Sequence, residues 1–369
     1  MHSDLLLVIV VCAALAFDFT NGFHDTANVV ASSISTRAVS PRTAVAISSV
    51  LNFAGAFISL QVATTIATGI IDAARVTETI VFAGLIGAIA LNVITWAYGL
   101  PSSSSHALIG GIVGAMLAGV GGAGIKAGGL ITKVILPAII APVAAFAVAG
   151  VAIVAIYALV ARQRPGPVAR GFRLGQLLSG SLLALAHGTN DAQKTMGVIA
   201  LALVAHGSIS TARFHVPTWV VISAASAIAL GTYAGGWRVM RRVLSTRIID
   251  MDSAQGFSAQ CAAAAVILAS SHLGYPLSTT HVISGGVVGA GAAKRLSAVR
   301  WGVAGNIVAA WLLTLPGAGL LGAAAYWLAT IFGHGALGPL LISIAVLAVI
   351  TIVLIGRRNK PRALLAPSR

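Results

Sequence analysis

Eleven apolar stretches follow one another along the chain, at about 4–35, 43–70, 79–99, 104–124, 130–161, 174–205, 216–237, 257–274, 279–293, 301–331 and 338–356. Most reach the roughly 20 residues that an α-helix needs to cross the hydrocarbon layer of a bilayer. The longest are expected to tilt, break or hold two segments. The stretch 279–293 is too short to cross alone and is expected to form one arm of a hairpin. The pattern predicts an all-α polytopic membrane protein.

Polar residues inside these stretches recur in two copies. Gly22-Phe23-His24-Asp25-Thr26-Ala27-Asn28 aligns with Gly188-Thr189-Asn190-Asp191-Ala192-Gln193-Lys194 at an offset of 166. Pro101-Ser102-Ser103-Ser104-Ser105-His106 aligns with Pro276-Leu277-Ser278-Thr279-Thr280-His281 at an offset of 175. A glycine pair and a further glycine follow each hairpin motif, at Gly110, Gly111 and Gly114 and at Gly285, Gly286 and Gly289. Apolar sequences resemble one another by chance, but matching polar residues embedded in them do not. Five stretches per half is an odd number, so the two copies face opposite ways. That is the inverted-repeat plan of secondary transporters, whose site lies near midplane where the copies meet. The expected organisation is a first repeat at 1–161, a polar, Pro-bearing cytoplasmic loop at 162–173, a second repeat at 174–331, and an extra helix with a basic tail at 332–369.

Charge orients this plan. With the N-terminus outside, 18 Lys and Arg fall in inside loops and on the C-terminal tail, against four outside, and Lys194 is left within an apolar helix. The positive-inside rule therefore predicts an outside N-terminus and an inside C-terminus. The short loops point to a plasma membrane. Leu5–Phe17 has the apolar character of a signal-peptide core, but no positive segment precedes it, and it is expected to stay as part of the first helix.

Composition agrees: 58% of the 369 residues are hydrophobic and only 8% are charged, with a mean hydropathy of +0.97. The net charge of +15 lies in short clusters between apolar runs rather than on one basic face, so no nucleic-acid partner is expected. Cys12 and Cys261 both sit in apolar runs and indicate neither a disulfide framework nor a zinc site.

Of eight acidic residues, Asp25 and Asp191 occupy matching positions at membrane depth. An ionisable side chain there is costly and marks an ion or substrate path. Asp18 lies nearer the outer surface and carries less weight. Lys194 shares a helix face with Asp191. It is either half of a structural ion pair or the cation that offsets an anionic ligand. His24, Asn28, Asn190 and Gln193 add donors and acceptors in the same turns. In the hairpins, Pro breaks an apolar segment and a hydroxyl run opens a new helix. Ser102–Ser105 and Ser278–Thr280 thus predict two half-helices whose N-termini offer free N–H groups and partial positive charge to an oxyanion. His106 and His281 match across the repeat and either cap the hairpins or carry a proton; His187 is a further titratable candidate. No catalytic residue is assigned, and the chain reads as a transporter rather than an enzyme.

Together these motifs resemble the inorganic phosphate transporter (PiT) family, of the low-affinity phosphate permease type. Gly231-Thr232-Tyr233-Ala234-Gly235-Gly236-Trp237-Arg238 strengthens the resemblance, which runs from about Asp18 to Pro316. It implies cation-coupled phosphate symport, inverted repeats, a transport domain with two hairpins and a homodimer. Ser103, Ser104, Ser105, Ser278, Thr279, Thr280, Asn28, Gln193 and Lys194 are then expected to hold phosphate. Asp25, Asp191, His24 and Asn190 are expected to serve the coupling cation or proton, with Asp25, Asn28 and Asp191 as ligands if the co-ion is sodium. There are departures: His24 stands where the motif commonly has Asn, and Asn52 and Gln260 stand where sodium-coupled relatives have acids. Fewer carboxylates favour a co-transported proton, or a divalent metal carried as a neutral metal–phosphate species, over sodium. No resident cofactor is implied. Sulfate transport, a passive anion channel and, more remotely, an intramembrane aspartyl protease built on Asp25 and Asp191 remain the competing readings.

Overall fold

The computed structural model describes residues 4–98, 102–243, 248–333 and 335–358. Pro101 of the first hairpin motif, Arg247, and the basic tail beyond Arg358 lie outside the described residues. The elements are α1 (Asp4–Ser35), α2 (Pro41–Gly55), α3 (Gln61–Thr64), α4 (Glu78–Tyr98), α5 (Ser104–Gly119), α6 (Ala127–Leu130), α7 (Leu136–Val160), α8 (Pro165–His206), α9 (Thr218–Val243), α10 (Ser253–His272), α11 (Thr279–Lys294), α12 (Trp301–Thr330) and α13 (Leu337–Arg358). No strand occurs among the described residues. A π-helical turn, Ile131–Ile135, joins α6 to α7, so Ala127–Val160 runs as one long segment. Five of the described helices are long and apolar enough to cross a membrane: α1, α4, the α6–α7 segment, α9 and α12.

One expectation is met and one is corrected. The stretch 43–70 is one of the long ones that break. α2 stops at Gly55, and the chain restarts at α3 followed by a π turn, Thr65–Gly69. Hydropathy cannot see this break, because Phe57, Ile58 and Leu60 keep it apolar; the restart is held by a distant side chain described below. The joint 162–173 is not a loop throughout. After a turn, Arg164 is extended and Pro165 occupies the first turn of α8, where its fixed φ favours initiation. The helix then runs 42 residues to a left-handed Gly207.

α5 and α11 have 16 residues each, about 24 Å at 1.5 Å per residue, short of the ~30 Å hydrocarbon thickness. Both begin on a buried serine: Ser103 Oγ accepts from His106 N–H at 3.2 Å, and Ser278 Oγ from His281 N–H at 3.4 Å. At the other end of that layer, Asp252 and Gln255 close a capping box on α10. Burial opposes ionisation of Asp252, but hydrogen bonds from the Tyr157 hydroxyl, the Gln255 N–H and the Lys294 ammonium outweigh it and hold its carboxyl below the usual range.

Helix packing is reciprocal. α1 lies on α9 and α2 on α8; α5 lies on α12 and α11 on α7. Each contact passes through glycine. A Cβ on Gly22 would meet the Ile228 carbonyl oxygen at 2.3 Å, and one on Gly188 the Asn52 carbonyl oxygen at 2.2 Å. Likewise a Cβ on Gly114 would lie 1.9 Å from the Gly319 oxygen, and one on Gly289 2.1 Å from the Phe146 oxygen. In a bilayer, where apolar helices gain little by hiding from lipid, such close backbone approach supplies the association. Phe17, Phe82, Leu85, Leu108, Met196 and Ile199 fill the largest core cluster. Ile139, Val151, Leu312, Leu320 and Trp327 remain exposed, an outer apolar surface suited to lipid.

Gly188→Ala places a methyl group against backbone that cannot yield. It is expected to cost about 1–3 kcal/mol, read as a lowered thermal midpoint of the detergent-purified protein. Gly166→Ala, where an added Cβ meets nothing within 4 Å, is the control and is expected to leave the midpoint unchanged or slightly raised. Equal behaviour of the two variants would contradict the packing account.

Candidate functional site

α1 carries Asp18, Asn21, Asp25 and Asn28 at spacings of three, four and three, which sets them on one helix face. α8 carries His187, Asp191 and Lys194 in the same register, and the two faces meet. One ligand atom from each of Asp25, His187 and Asp191 lies within 4.8 Å of the other two, all buried. The two acids that the repeat singled out are therefore one site.

The N-termini of α5 and α11 close on this site. Ser104 Oγ donates to Asp25 Oδ2 at 2.8 Å, and Thr279 Oγ1 to Asp191 Oδ2 at 3.3 Å. The next hydroxyls cross over to the other half. Thr280 Oγ1 donates to Asp25 Oδ1 at 3.3 Å and accepts from Asn28 Nδ2 at 3.0 Å, while Ser105 Oγ accepts from Lys194 Nζ. Matching residues thus make matching contacts: Ser104 and Thr279 to the acid of their own half, Ser105 and Thr280 to the opposite half. All four hydroxyl residues, both acids and Lys194 are at most 3% exposed.

Lys194 uses its three protons fully, on Asp191 Oδ1 at 2.5 Å, on the Leu277 carbonyl at 2.6 Å and on Ser105. It joins α8 to both hairpins. His24 Nδ1 lies 2.9 Å from Asp25 Oδ1; a carboxylate only accepts, so that nitrogen carries a proton. His187 Nδ1 faces Asn52 Oδ1 at 3.1 Å, and the Asn52 amide nitrogen is committed to Thr232. The proton of a neutral His187 therefore sits on Nδ1. That turns the lone pair of Nε2 towards Asp191 Oδ2, 3.3 Å away, and two facing lone pairs call for a proton or a metal ion.

Four expected residues are placed elsewhere. Ser103 and Ser278 turn their hydroxyls onto their own helices as N-caps. Gln193 faces α3: its Oε1 accepts from Val62 N–H at 2.9 Å and Ala63 N–H at 3.4 Å, which is what restarts the chain there. Asn190, the match of His24, donates to Ser271 Oγ and the Tyr275 carbonyl rather than to Asp191. The sequence reading gave no role to Asn21, which donates to Asp191 Oδ2 at 3.3 Å. The spacing along α1 was the signal for it, and the repeat offset of 166 pairs Asn21 with His187. Asp18 is fully buried. His106 and His281 touch each other edge to face, with ring centroids 4.7 Å apart, and His281 stacks on Trp311.

Two carboxylates, Asp25 and Asp191, share this buried cluster with one ammonium, Lys194, before any anion arrives. Hydroxyls and helix N-termini suit an oxyanion; carboxylates and an imidazole lone pair suit a cation. The arrangement is fitted to take both together.

Comparison with known proteins agrees with this chemistry. The sequence pattern of the phosphate transporter family matches residues 21–322. A probable low-affinity inorganic phosphate transporter of Mycobacterium bovis is 55% identical over 321 residues, covering 87% of this chain and 77% of the relative. One of Rhizobium meliloti is 48% identical over 322 residues, covering 87% and 96%. A solved structure described as the sodium-dependent phosphate transporter superposes with a TM-score of 0.79 at 26% identity, covering 87% of this chain and 98% of that one. The chain belongs to the phosphate transporter family.

Proposed function

We propose that this protein is a secondary active transporter that carries inorganic phosphate in symport with a cation. The observation that supports the reading is the reciprocal cluster: two buried acids, one from each half, Asp25 held by hydroxyls of both hairpin termini and Asp191 by Thr279 and by Lys194, which also binds Ser105. Phosphate binds between α5 and α11, where Ser104, Ser105, Thr279, Thr280 and Asn28 replace its water. Lys194 offsets part of its charge. A charge-compensating cation sits among Asp25, Asp191 and His187, because a divalent anion entering a cluster with excess negative charge needs positive charge with it. A proton, or a metal carried with phosphate, fits the neutral Asn52 and Gln260 better than sodium does. Carboxylates that accept from a P–OH favour phosphate over sulfate, which has no proton to donate near neutral pH.

The reciprocal helix pairs support an inverted repeat whose halves are 1–161 and 174–331, with α5 and α11 as half-helices of two hairpins and α13 as an addition outside the repeat. Alternating access follows when one hairpin opens while the other stays closed. The charge bias of its loops supports an outside N-terminus, and the family resemblance implies a homodimer in the plasma membrane.

Asp25→Asn and Asp191→Asn are expected to lower labelled phosphate uptake into proteoliposomes by about 10- to 100-fold, the cost of about 1.5–3 kcal/mol for a lost charged hydrogen-bond partner. Excess sulfate is expected to compete weakly. Full uptake by both variants, or strong competition by sulfate, contradicts the assignment.

Removing Lys194 alone leaves Asp191 as an uncompensated buried charge. Lys194→Met is therefore expected to destabilise the purified protein by roughly 3–5 kcal/mol, and the double variant Asp191→Asn with Lys194→Met to recover most of that without recovering transport. Wild-type stability of Lys194→Met would contradict the role given to the pair.

A further inference from the structure

One acidic residue on the site-bearing face of α1 has no part in the cluster just described. Asp18 lies two turns before Asp25 and is fully buried. Neither of its carboxylate oxygens has a well-formed hydrogen bond, and the one donor that approaches them is the Thr195 hydroxyl. Two neighbouring oxygens share that condition: Asn21 Oδ1, one turn along the same face, and Thr195 Oγ1, which faces Asp18 from α8. The Asn21 amide nitrogen offers no relief, since it is directed to Asp191. The repeat gives none either. At the offset of 166, the match of Asp18 is Ala184, so this carboxyl is the one feature of the α1 face without a polar counterpart in α8.

The charged groups that act on Asp18 both belong to α8: Asp191, of like charge, and Lys194, whose three protons are already committed. α9 and α4, which also pack along α1, carry no charged residue between Thr218 and Gly235 or between Thr79 and Thr95, and Glu78 begins α4. This buried stretch therefore holds acceptors in excess of donors: two carboxylate oxygens with one Thr195 hydroxyl facing them, and an unpartnered Asn21 amide oxygen one turn along α1. A bare carboxylate in such a place is far too costly to persist. One added proton removes the charge and supplies a donor for Asn21 or Thr195. A sodium ion would need more oxygen ligands than these three side chains provide.

We propose that Asp18, with Asn21 and Thr195, is a second cation site of the transporter, separate from the Asp25–His187–Asp191 cluster, and that the cation it carries is the coupling proton. Asp18 binds the proton as the carboxyl O–H and releases it to water on the other side when the site reopens. The inference rests on the symport reading above. It assigns the coupling to a residue that need not touch phosphate.

The test separates coupling from phosphate binding. Wild type, Asp18→Asn and Asp18→Glu are reconstituted in liposomes. Two assays are run: exchange of external labelled phosphate for internal phosphate with no ion gradient, and accumulation under an inward proton or sodium gradient. For wild type, an inward difference of about two pH units is expected to support roughly 100-fold accumulation per coupled proton. Asp18→Asn, which mimics the protonated residue and supplies the missing donor, is expected to exchange at close to the wild-type rate and to lose proton-driven accumulation. Asp18→Glu is expected to retain it. Proton-driven accumulation by Asp18→Asn equal to wild type overturns the proposal. So does loss of exchange together with accumulation, which would place Asp18 in translocation itself, and so does accumulation by wild type on a sodium gradient alone. Absence of phosphate exchange by correctly inserted wild type would instead overturn the symport reading on which the proposal rests.

Discussion

A charge buried at membrane depth must find its partners within the protein, and Lys194 is where this fold meets that demand. Its three protons reach Asp191 on its own helix, Ser105 at the start of α5 and the Leu277 carbonyl just before α11. One side chain thereby fixes the relative position of α8 and both hairpins. Asn28, its match in the first half, makes the corresponding but weaker contacts, to Asp25 and Thr280. An ammonium stands on one side of the pseudo-symmetric site and an amide on the other. The site is thus unequal in charge, so the two hairpins need not open with equal ease.

The glycines make this possible. α1 and α8 bring their polar faces together only because Gly22 and Gly188 let α9 and α2 approach to backbone contact behind them. The same device behind α5 and α11, at Gly114 and Gly289, holds the half-helix N-termini against the acids. Small residues set the distance between helices, the distance sets which hydroxyl reaches which carboxylate, and that contact defines the site. Binding then follows from replacement: an anion that takes over Ser104, Ser105, Thr279 and Thr280 frees Asp25 and Asp191 for cations, so anion and cation favour each other.

Much of this was legible in the sequence, for physical reasons that also explain what was not. Hydropathy places a helix well when its whole length faces lipid or core, and α1 runs over Asp4–Ser35 as read. It fails where the chain breaks inside an apolar run: α3 restarts on the Gln193 side chain, a contact across 131 residues. For the same reason the Gln193 side chain, expected at the site, faces the start of α3. The hydroxyl runs were read correctly as helix starts. But an N-cap oxygen must turn to its own N–H groups, so only the two hydroxyls after each N-cap face the site. His187 is legible as a titratable candidate, whereas Asn21 shares the face of Asp25 by spacing but lies just outside the duplicated motif. The burial of Asp18 depends on how α8 and α9 close over α1, which no local pattern encodes.

The central claim is that phosphate and its cation share the cluster where the two halves interlock. An experimental structure of the protein saturated with phosphate tests it most directly. The account expects phosphate within hydrogen-bond distance of Ser104, Ser105, Thr279 and Thr280, with Lys194 or a cation between it and Asp191. Phosphate bound elsewhere, with the contacts of Asp25 and Asp191 to the hairpin hydroxyls unchanged, would contradict it.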